Sequence, residues 1–280
     1  MFLSYYLAKM VNKLTNIENT DKVNKLDGLN SLSASDIFNL IQATNVSDIV
    51  KTRTVYGKNR LNSVIQNNPK VKEALFYIIK NYKKERKNNP DKFGYMHCIE
   101  AAALVAEYWF DEADVVAAAL LHDVWEDIPN GEQYLKSTYS ENIVNLVKAL
   151  TEKDKTWDTI EQQRISWDER KLEEIGKVSQ FSPKALALKL WDQISNIAET
   201  VSDLEKLSAE DRQIYWEWFN AGYDKQIWKY RTLSDTIQNR IQTCDEEWLF
   251  QDEDEKNRLQ SFENQFKYLV DTLDAIMRNM

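Results

Sequence analysis

ALLHDVWEDIPNG, residues 119–131, ends an apolar run and then gathers His122, Asp123, Glu126 and Asp127 within six positions before a Pro-Asn-Gly break. From Glu112 to His122 the chain is almost unbroken Ala, Val and Leu, the pattern of a buried helix, and Pro129, Asn130 and Gly131 stop it. Continued as a helix, the stretch puts residues three and four apart on one face, so Glu126 stands above both His122 and Asp123. Carboxylates this close raise one another's pKa and destabilise a fold unless a cation neutralises them. A divalent metal is the expected cation.

Working outward, the chain has one other histidine, His97, which opens the run CIEAAALVAEYWF one helix earlier. Its Ala101-Ala102-Ala103 permits close helix packing. Upstream, Val71, Ala74, Leu75, Ile78, Ile79 and Tyr82 fall on one helical face, which runs into the cationic stretch YKKERKNNP and is closed by Pro90. Downstream, helices are predicted at about 141–150 and 158–176. Ser182 followed by Pro183 is a hydroxyl cap ahead of the one helical position where proline is welcome, and starts a helix to about 200. Others come at about 208–230, 232–248 and 254–278.

In the helix after Pro183, Lys189, Asp192 and Asn196 stand at i, i+3 and i+7 and so share an arc of about 60°. Leu186, Leu190, Ile194 and Ile197 flank them and bury that helix. A charged aspartate in such surroundings requires a cation, either Lys189 or a metal. His97, His122, Asp123 and Asp192 are therefore the predicted ligands of one ion. Two nitrogen and two carboxylate ligands suit Mn²⁺, Fe²⁺ or Zn²⁺ better than Mg²⁺.

Bulk properties agree with a folded helical protein. Six glycines and four prolines in 280 residues leave few turns for a meander of short strands, while 43% hydrophobic residues fill a core. The fold class is all-α. Residues 1–65, rich in Asn, Ser, Thr and Asp, read as short helices joined by polar loops, among them DIFNLIQ at 36–42. A helical bundle is expected over 66–230, and residues 231–280 as helices packed on it. The stripe Phe262, Phe266, Leu269, Leu273 and Ile276 fits core packing, with a homodimer or a protein partner on the flanking helices as the alternative. A net charge of −9 and a pI near 5.0 repel nucleic acid. Cys98 and Cys244 show no pairing pattern, and MFLSYYLA at the start is too short for a membrane span and lacks a leader's basic charge. A cytoplasmic setting is expected.

Taken together, these motifs resemble the HD-domain metal-dependent phosphohydrolases. His97, the HD pair 122–123 and Asp192 match the family's ligand pattern, and HDVWED is similar to the HDxxED form typical of alarmone, (p)ppGpp, hydrolases of the RelA/SpoT type. RKNNPDKFGYMH at 86–97 resembles the segment in which Arg-Lys leads through a loop and a tyrosine to the first ligand. TEKDKT at 151–156 is similar to its T-D-D-K-T turn, KLWDQISN at 189–196 to K-L-A-D-x-x-x-N, and YWEW at 215–218 to the Y-F-E-W of the small hydrolase-only members. Where longer members carry Arg-Leu-His, this chain has Gln193, Ile194 and Ser195, and Trp191 precedes the ligand.

The resemblance implies a helical HD bundle that hydrolyses the 3′-pyrophosphate of ppGpp or pppGpp to GDP or GTP and pyrophosphate. Glu126 and Asp127 are then the catalytic carboxylates, with Glu126 the more direct. It further implies a nucleotide bound by Arg86, Lys87, Tyr95, Lys155, Lys189, Asn196 and Tyr215. Two alternatives stand beside it. One keeps the site and changes the nucleotide, to an adenine alarmone, a dNTP, a cyclic nucleotide or the 2′-phosphate of NADPH. The other is a metal-stabilised regulatory protein without turnover.

Overall fold

Local signals at the helix starts decide much of the architecture. The structure, a computed structural model, describes residues 33–43, 51–86, 89–108, 112–152, 159–243 and 253–278. Helices α1 (Ala34–Ala43) and α2 (Lys51–Asn67) lead to α3 (Pro69–Asn81). Asn68 caps α3 by accepting from the backbone N–H groups of Lys70 and Val71, with Pro69 in the first turn. The expected face, Val71, Ala74, Leu75, Ile78 and Ile79, is buried. Ser182 likewise caps the long helix below by accepting from Ala185 N–H.

The cationic stretch after α3 is not the end of that helix. The helix closes at Tyr82, and a two-stranded antiparallel hairpin comes next, β1 (Glu85–Arg86) and β2 (Asn89–Phe93). Two nearly all-apolar segments and one amphipathic helix then pack in the bundle. They are α4 (Gly94–Tyr108), α5 (Ala113–Leu121) and, after the single turn α6 (Val124–Asp127), the N-capped α8 (Glu141–Leu150), with α7 (Gly131–Thr138) between. Asn130 adopts φ 60°, and a Cβ on Gly131 would collide with the Val124 carbonyl, so this corner requires its Asn-Gly pair.

The predicted helix 158–176 is two, α9 (Ile160–Ile165) and α10 (Trp167–Val178), because Ser166 turns its hydroxyl back onto the Gln162 carbonyl. α11 (Pro183–Leu204) crosses the centre. α12 (Ala209–Tyr215) and a 3-10 turn (Trp216–Trp218) come after it, and the break falls at 219–222 rather than near 231. α13 (Tyr223–Thr243) passes through residues 230 and 231 without interruption, since Tyr230, Leu233 and Ile237 continue one buried face. α14 (Glu253–Arg278) lies on α11 and α13.

One apolar cluster runs from Ile37 to Met277, so the flanking helices share the core of the bundle. Trp191 shows how. Fully buried, its ring lies 4.2 Å from that of Phe262 on α14, and Tyr108 meets the same phenylalanine edge-on at 4.5 Å. The bulky residue before Asp192 therefore fills the seam with α14. Phe262, Phe266, Leu269 and Leu273 are fully buried, while Ile276 is partly so.

At the other end α2 packs along α4, and Gly57 of α2 touches the Ala103 carbonyl so closely that a Cβ there would collide with it. Gly57→Ala is expected to force the helices apart and to cost about 1–3 kcal/mol. The check is a lower urea midpoint at unchanged slope; an unchanged midpoint would mean that α2 is not held at this distance. Among the described residues, no helix is long and apolar enough to cross a membrane.

Candidate active site

The first turn of α4, the end of α5 and the middle of α11 meet at the floor of a cleft. Ligand atoms of His97, His122 and Asp123 all lie within 4.8 Å of one another. Asp192 joins from α11, with Oδ1 3.1 Å from His97 Nε2 and 3.8 Å from His122 Nε2. Asp123 Oδ1 is 3.4 Å from His122 Nε2. The four predicted ligands thus converge.

The route by which α5 delivers its pair differs from a continuous helix. The helix stops at Leu121, His122 and Asp123 occupy a turn, and only Val124–Asp127 resume helical geometry. Glu126 lies on that single turn. Its Oε1 accepts the backbone N–H of Glu152 at 2.6 Å, on the cleft wall.

Each imidazole is oriented from behind. His122 Nδ1 donates to the Ala119 carbonyl at 2.8 Å, which leaves the lone pair at Nε2 facing the two aspartates. That Nε2 is fully buried and, among the described residues, has no hydrogen-bond partner. Burial disfavours a charged His122, yet Asp123, then the neighbouring Cys98 and then Asp192 pull its pKa well above the ordinary range. A buried acceptor without a donor, in a field that calls for positive charge, fits a divalent ion. His97 is secured by Ser195, whose hydroxyl lies 3.1 Å from Nδ1 and donates to Glu100 Oε2 at 3.2 Å. Behind Glu100 stands the buried Lys58 of α2; burial lowers its pKa and the charge of Glu100 opposes that. Asp192 is held well below the carboxylate range: burial works against ionisation, but the His97 hydrogen bond and Lys189 outweigh it.

The cleft has a volume of about 280 Å³ above these groups and opens into a neighbouring one of about 510 Å³. Tyr82 donates towards Asp127 Oδ2 at 2.7 Å and lies 3.0 Å from Asp123 Oδ2, and Lys84 pairs with the other Asp127 oxygen at 2.5 Å. Arg86, on β1, is half-buried and reaches Asn196 Oδ1 and Glu199 Oε2, each at 2.8 Å. Asn196 in turn donates to Asp192 Oδ1 at 2.7 Å.

Deeper in the wall, Lys189 pairs with Glu174 and stands 3.5 Å from Asp192. Lys171 bridges Glu174 and Glu152, and Arg170 also pairs with Glu152. These form a buried network of alternating charge. Burial opposes each charged member, but the lysines hold the Glu174 carboxyl well below its usual range, and the glutamates hold Lys171 and Lys189 above theirs.

Of the other predicted substrate contacts, Tyr95 and Tyr215 line neither cavity. Tyr95 is fully buried beside Phe93, because the first turn of α4 points it into the core. Tyr215 packs on Trp216 and Phe219 and directs its hydroxyl to Asp203, 3.3 Å away; it is Phe219 that reaches the cleft. Lys87 and Lys155 lie outside the described residues. Trp125 is partly buried against the core, with Lys136 over its ring. Sequence reasoning missed Tyr82, Glu100, Lys171, Glu174 and Lys229. Only Glu100 left a signal, as an acid one turn from His97 amid apolar residues.

An all-α protein that gathers two histidines and two aspartates from three helices falls in the class of helical proteins with a His/Asp cluster able to hold a metal ion. Residues 74–220 match the HD domain family, and this chain belongs to it. It is 27% identical over 149 residues to the guanosine-3′,5′-bis(diphosphate) 3′-pyrophosphohydrolase MESH1 of Xenopus tropicalis, covering 52% of this chain and 78% of that one. The Drosophila melanogaster protein of the same name is 28% identical over 152 residues, covering 53% and 80%. A solved structure described as a metazoan ortholog of SpoT that hydrolyzes ppGpp superimposes with a TM-score of 0.47 at 21% identity, covering 70% of this chain and 94% of the other.

Proposed function

We propose that this protein is a metal-dependent phosphohydrolase that removes the 3′-pyrophosphate of ppGpp or pppGpp, releasing pyrophosphate and GDP or GTP. The observation that carries the reading is the buried, partnerless Nε2 of His122, facing Asp123 and Asp192 at the floor of a cleft walled by cations. The naming of several relatives as enzymes of this reaction supports the choice of substrate. Mn²⁺ is the proposed ion, held by His97, His122, Asp123 and Asp192. When bound, such an ion acidifies a water and neutralises charge on the phosphoryl oxygens.

The chain's own groups do the rest. Glu126, fixed by the Glu152 N–H, is the proposed acceptor of the water's proton. Asp127 is held between Tyr82 and Lys84, so its carboxylate is oriented and its charge partly offset. Arg86 and Asn196 offer substrate contacts beside the ligands, and Lys189 adds positive charge behind Asp192. Two cysteines without a pairing pattern support a cytoplasmic setting.

Incubating the Mn²⁺-loaded protein with a panel of ppGpp, pppGpp, an adenine alarmone, dNTPs, cyclic nucleotides and NADPH, with products resolved by anion exchange, tests the reading. Pyrophosphate released from ppGpp is the expected result. Inertness toward ppGpp with turnover of another member would overturn the substrate, and inertness toward all, before and after metal loading, would overturn the enzyme. Within an active preparation, Glu126→Gln should lower kcat by about 10²–10⁴-fold; full turnover would remove its role.

A further inference from the structure

One cation of the cleft wall stands apart from the rest. Lys189, Lys171, Arg170, Arg86 and Lys84 each face a carboxylate within the wall. Lys229, on α13, does not. Among the described residues it has neither an ion-pair partner nor a hydrogen-bond acceptor, and its ammonium lies over the ring of Tyr230, 4.5 Å from the centroid. It is only 7% exposed, yet it lines both the cavity over the metal ligands and the adjoining one. An ammonium this buried, balanced only through space by Glu174 and Asp192 and opposed by Lys171 and Lys189, is costly to keep charged, and an anion in the cavity would complete it.

We propose that Lys229 binds a phosphate group of the substrate where the two cavities join, so that α13 completes a pocket which the family-matched residues 74–220 leave short of one cation. This deepens the phosphohydrolase reading, whose substrate carries several such charges. Lys171 and Lys189, anchored by Glu152 and Glu174, add positive potential behind the same point. Burial, together with those two lysines, brings the Lys229 ammonium down to about 8, so it stays largely protonated at neutral pH while its charge is disfavoured until an anion arrives. Its aliphatic stem is packed, which fixes the charge in place before binding and limits the entropy lost when the phosphate docks.

The test compares wild type, Lys229→Met and Lys229→Arg, all Mn²⁺-loaded. Affinity for inorganic pyrophosphate is measured by calorimetry and by the Tm rise pyrophosphate causes, with kcat and KM for ppGpp measured alongside. Methionine keeps the stem and removes the charge. Lys229→Met should bind pyrophosphate about tenfold or more weakly, the effect of one charge-assisted contact, and should raise KM more than it lowers kcat. Its own Tm without pyrophosphate should stay level or rise, since an uncompensated buried charge is gone. Lys229→Arg should recover most of the affinity.

A Lys229→Met protein that is less stable but binds pyrophosphate as wild type does would overturn the proposal, making Lys229 a member of the structural network. Absence of pyrophosphate binding by wild type would overturn it too. The probe separates this inference from the reading beneath it. If ppGpp is inert while Lys229→Met still loses pyrophosphate, the alarmone assignment falls and the phosphate site stands. If Lys229→Met turns over ppGpp with unchanged KM, the phosphate site falls and the assignment stands.

Discussion

His122→Ala is expected to cut turnover by at least about 10³-fold, the several kcal/mol that a Lewis-acidic ion contributes to phosphate hydrolysis. Among the described residues the Nε2 of His122 has no hydrogen-bond partner and only the Asp123 and Asp192 carboxylate oxygens nearby. His97 Nε2 can fall back on Asp192, and Asp192 on Asn196, Gln193 and Lys189. Alanine at position 122 therefore removes a donor for which nothing nearby substitutes, and it leaves Asp123 and Asp192 with less to hold them apart. The readout need not be activity alone. Metal per chain, measured by mass spectrometry after dialysis, should fall well below that of wild type. The rise in Tm that Mn²⁺ gives wild type, which comes from binding to the folded state only, should disappear. Full metal loading with unchanged Tm response would show that the ion sits elsewhere and that the cleft owes its charge pattern to another ligand.

The four side chains that converge at the cleft floor are readable in the sequence because two of them are adjacent and the other two stand out from apolar helices. An aspartate beside Leu190, Ile194 and Ile197 admits few explanations, and the i, i+3, i+7 spacing of Lys189, Asp192 and Asn196 does survive as two direct contacts with Asp192. Helical periodicity misleads where it is extended through His122. Residues 122 and 123 form a turn that interrupts the helix before Val124–Asp127, and Glu126 accepts the Glu152 amide. The hairpin is hidden for a related reason: two strands of two and five residues in a Lys- and Asn-rich stretch carry too little alternation to be told from a frayed helix end. No local pattern could have found Tyr82 on Asp127, or Lys229 at the cavity junction, because both arise from segments far apart in the chain. KLEEIGK at 171–177 has the look of a solvated amphipathic turn, and Glu174 is nonetheless 7% exposed.

Glu174 supplies the second large effect. Glu174→Gln is expected to destabilise the fold by about 3–5 kcal/mol at neutral pH, because breaking a buried ion pair leaves its partners charged and uncompensated. Those partners are Lys171 at 2.7 Å and Lys189, with Lys229 adding a third positive charge to the same field. Glutamine keeps the volume and one acceptor, so packing is nearly conserved and the loss is electrostatic. That origin fixes the sign of the pH dependence. Burial works against the charged carboxyl, but the lysines hold it well below the unfolded value of 4.5. Its contribution is thus fully present above that value and is lost as the pH falls through the range between the unfolded and folded pKa. Urea unfolding of both proteins at pH 7 and at about pH 3.5, inside that range, should give a difference that is large at the first and smaller at the second, since only wild type loses stability through this group on acidification. A difference unchanged between the two would mean that Glu174 acts through shape rather than charge. The network would then be a packing device, and the lysines would have to owe their orientation toward the cleft to something other than the anions behind them.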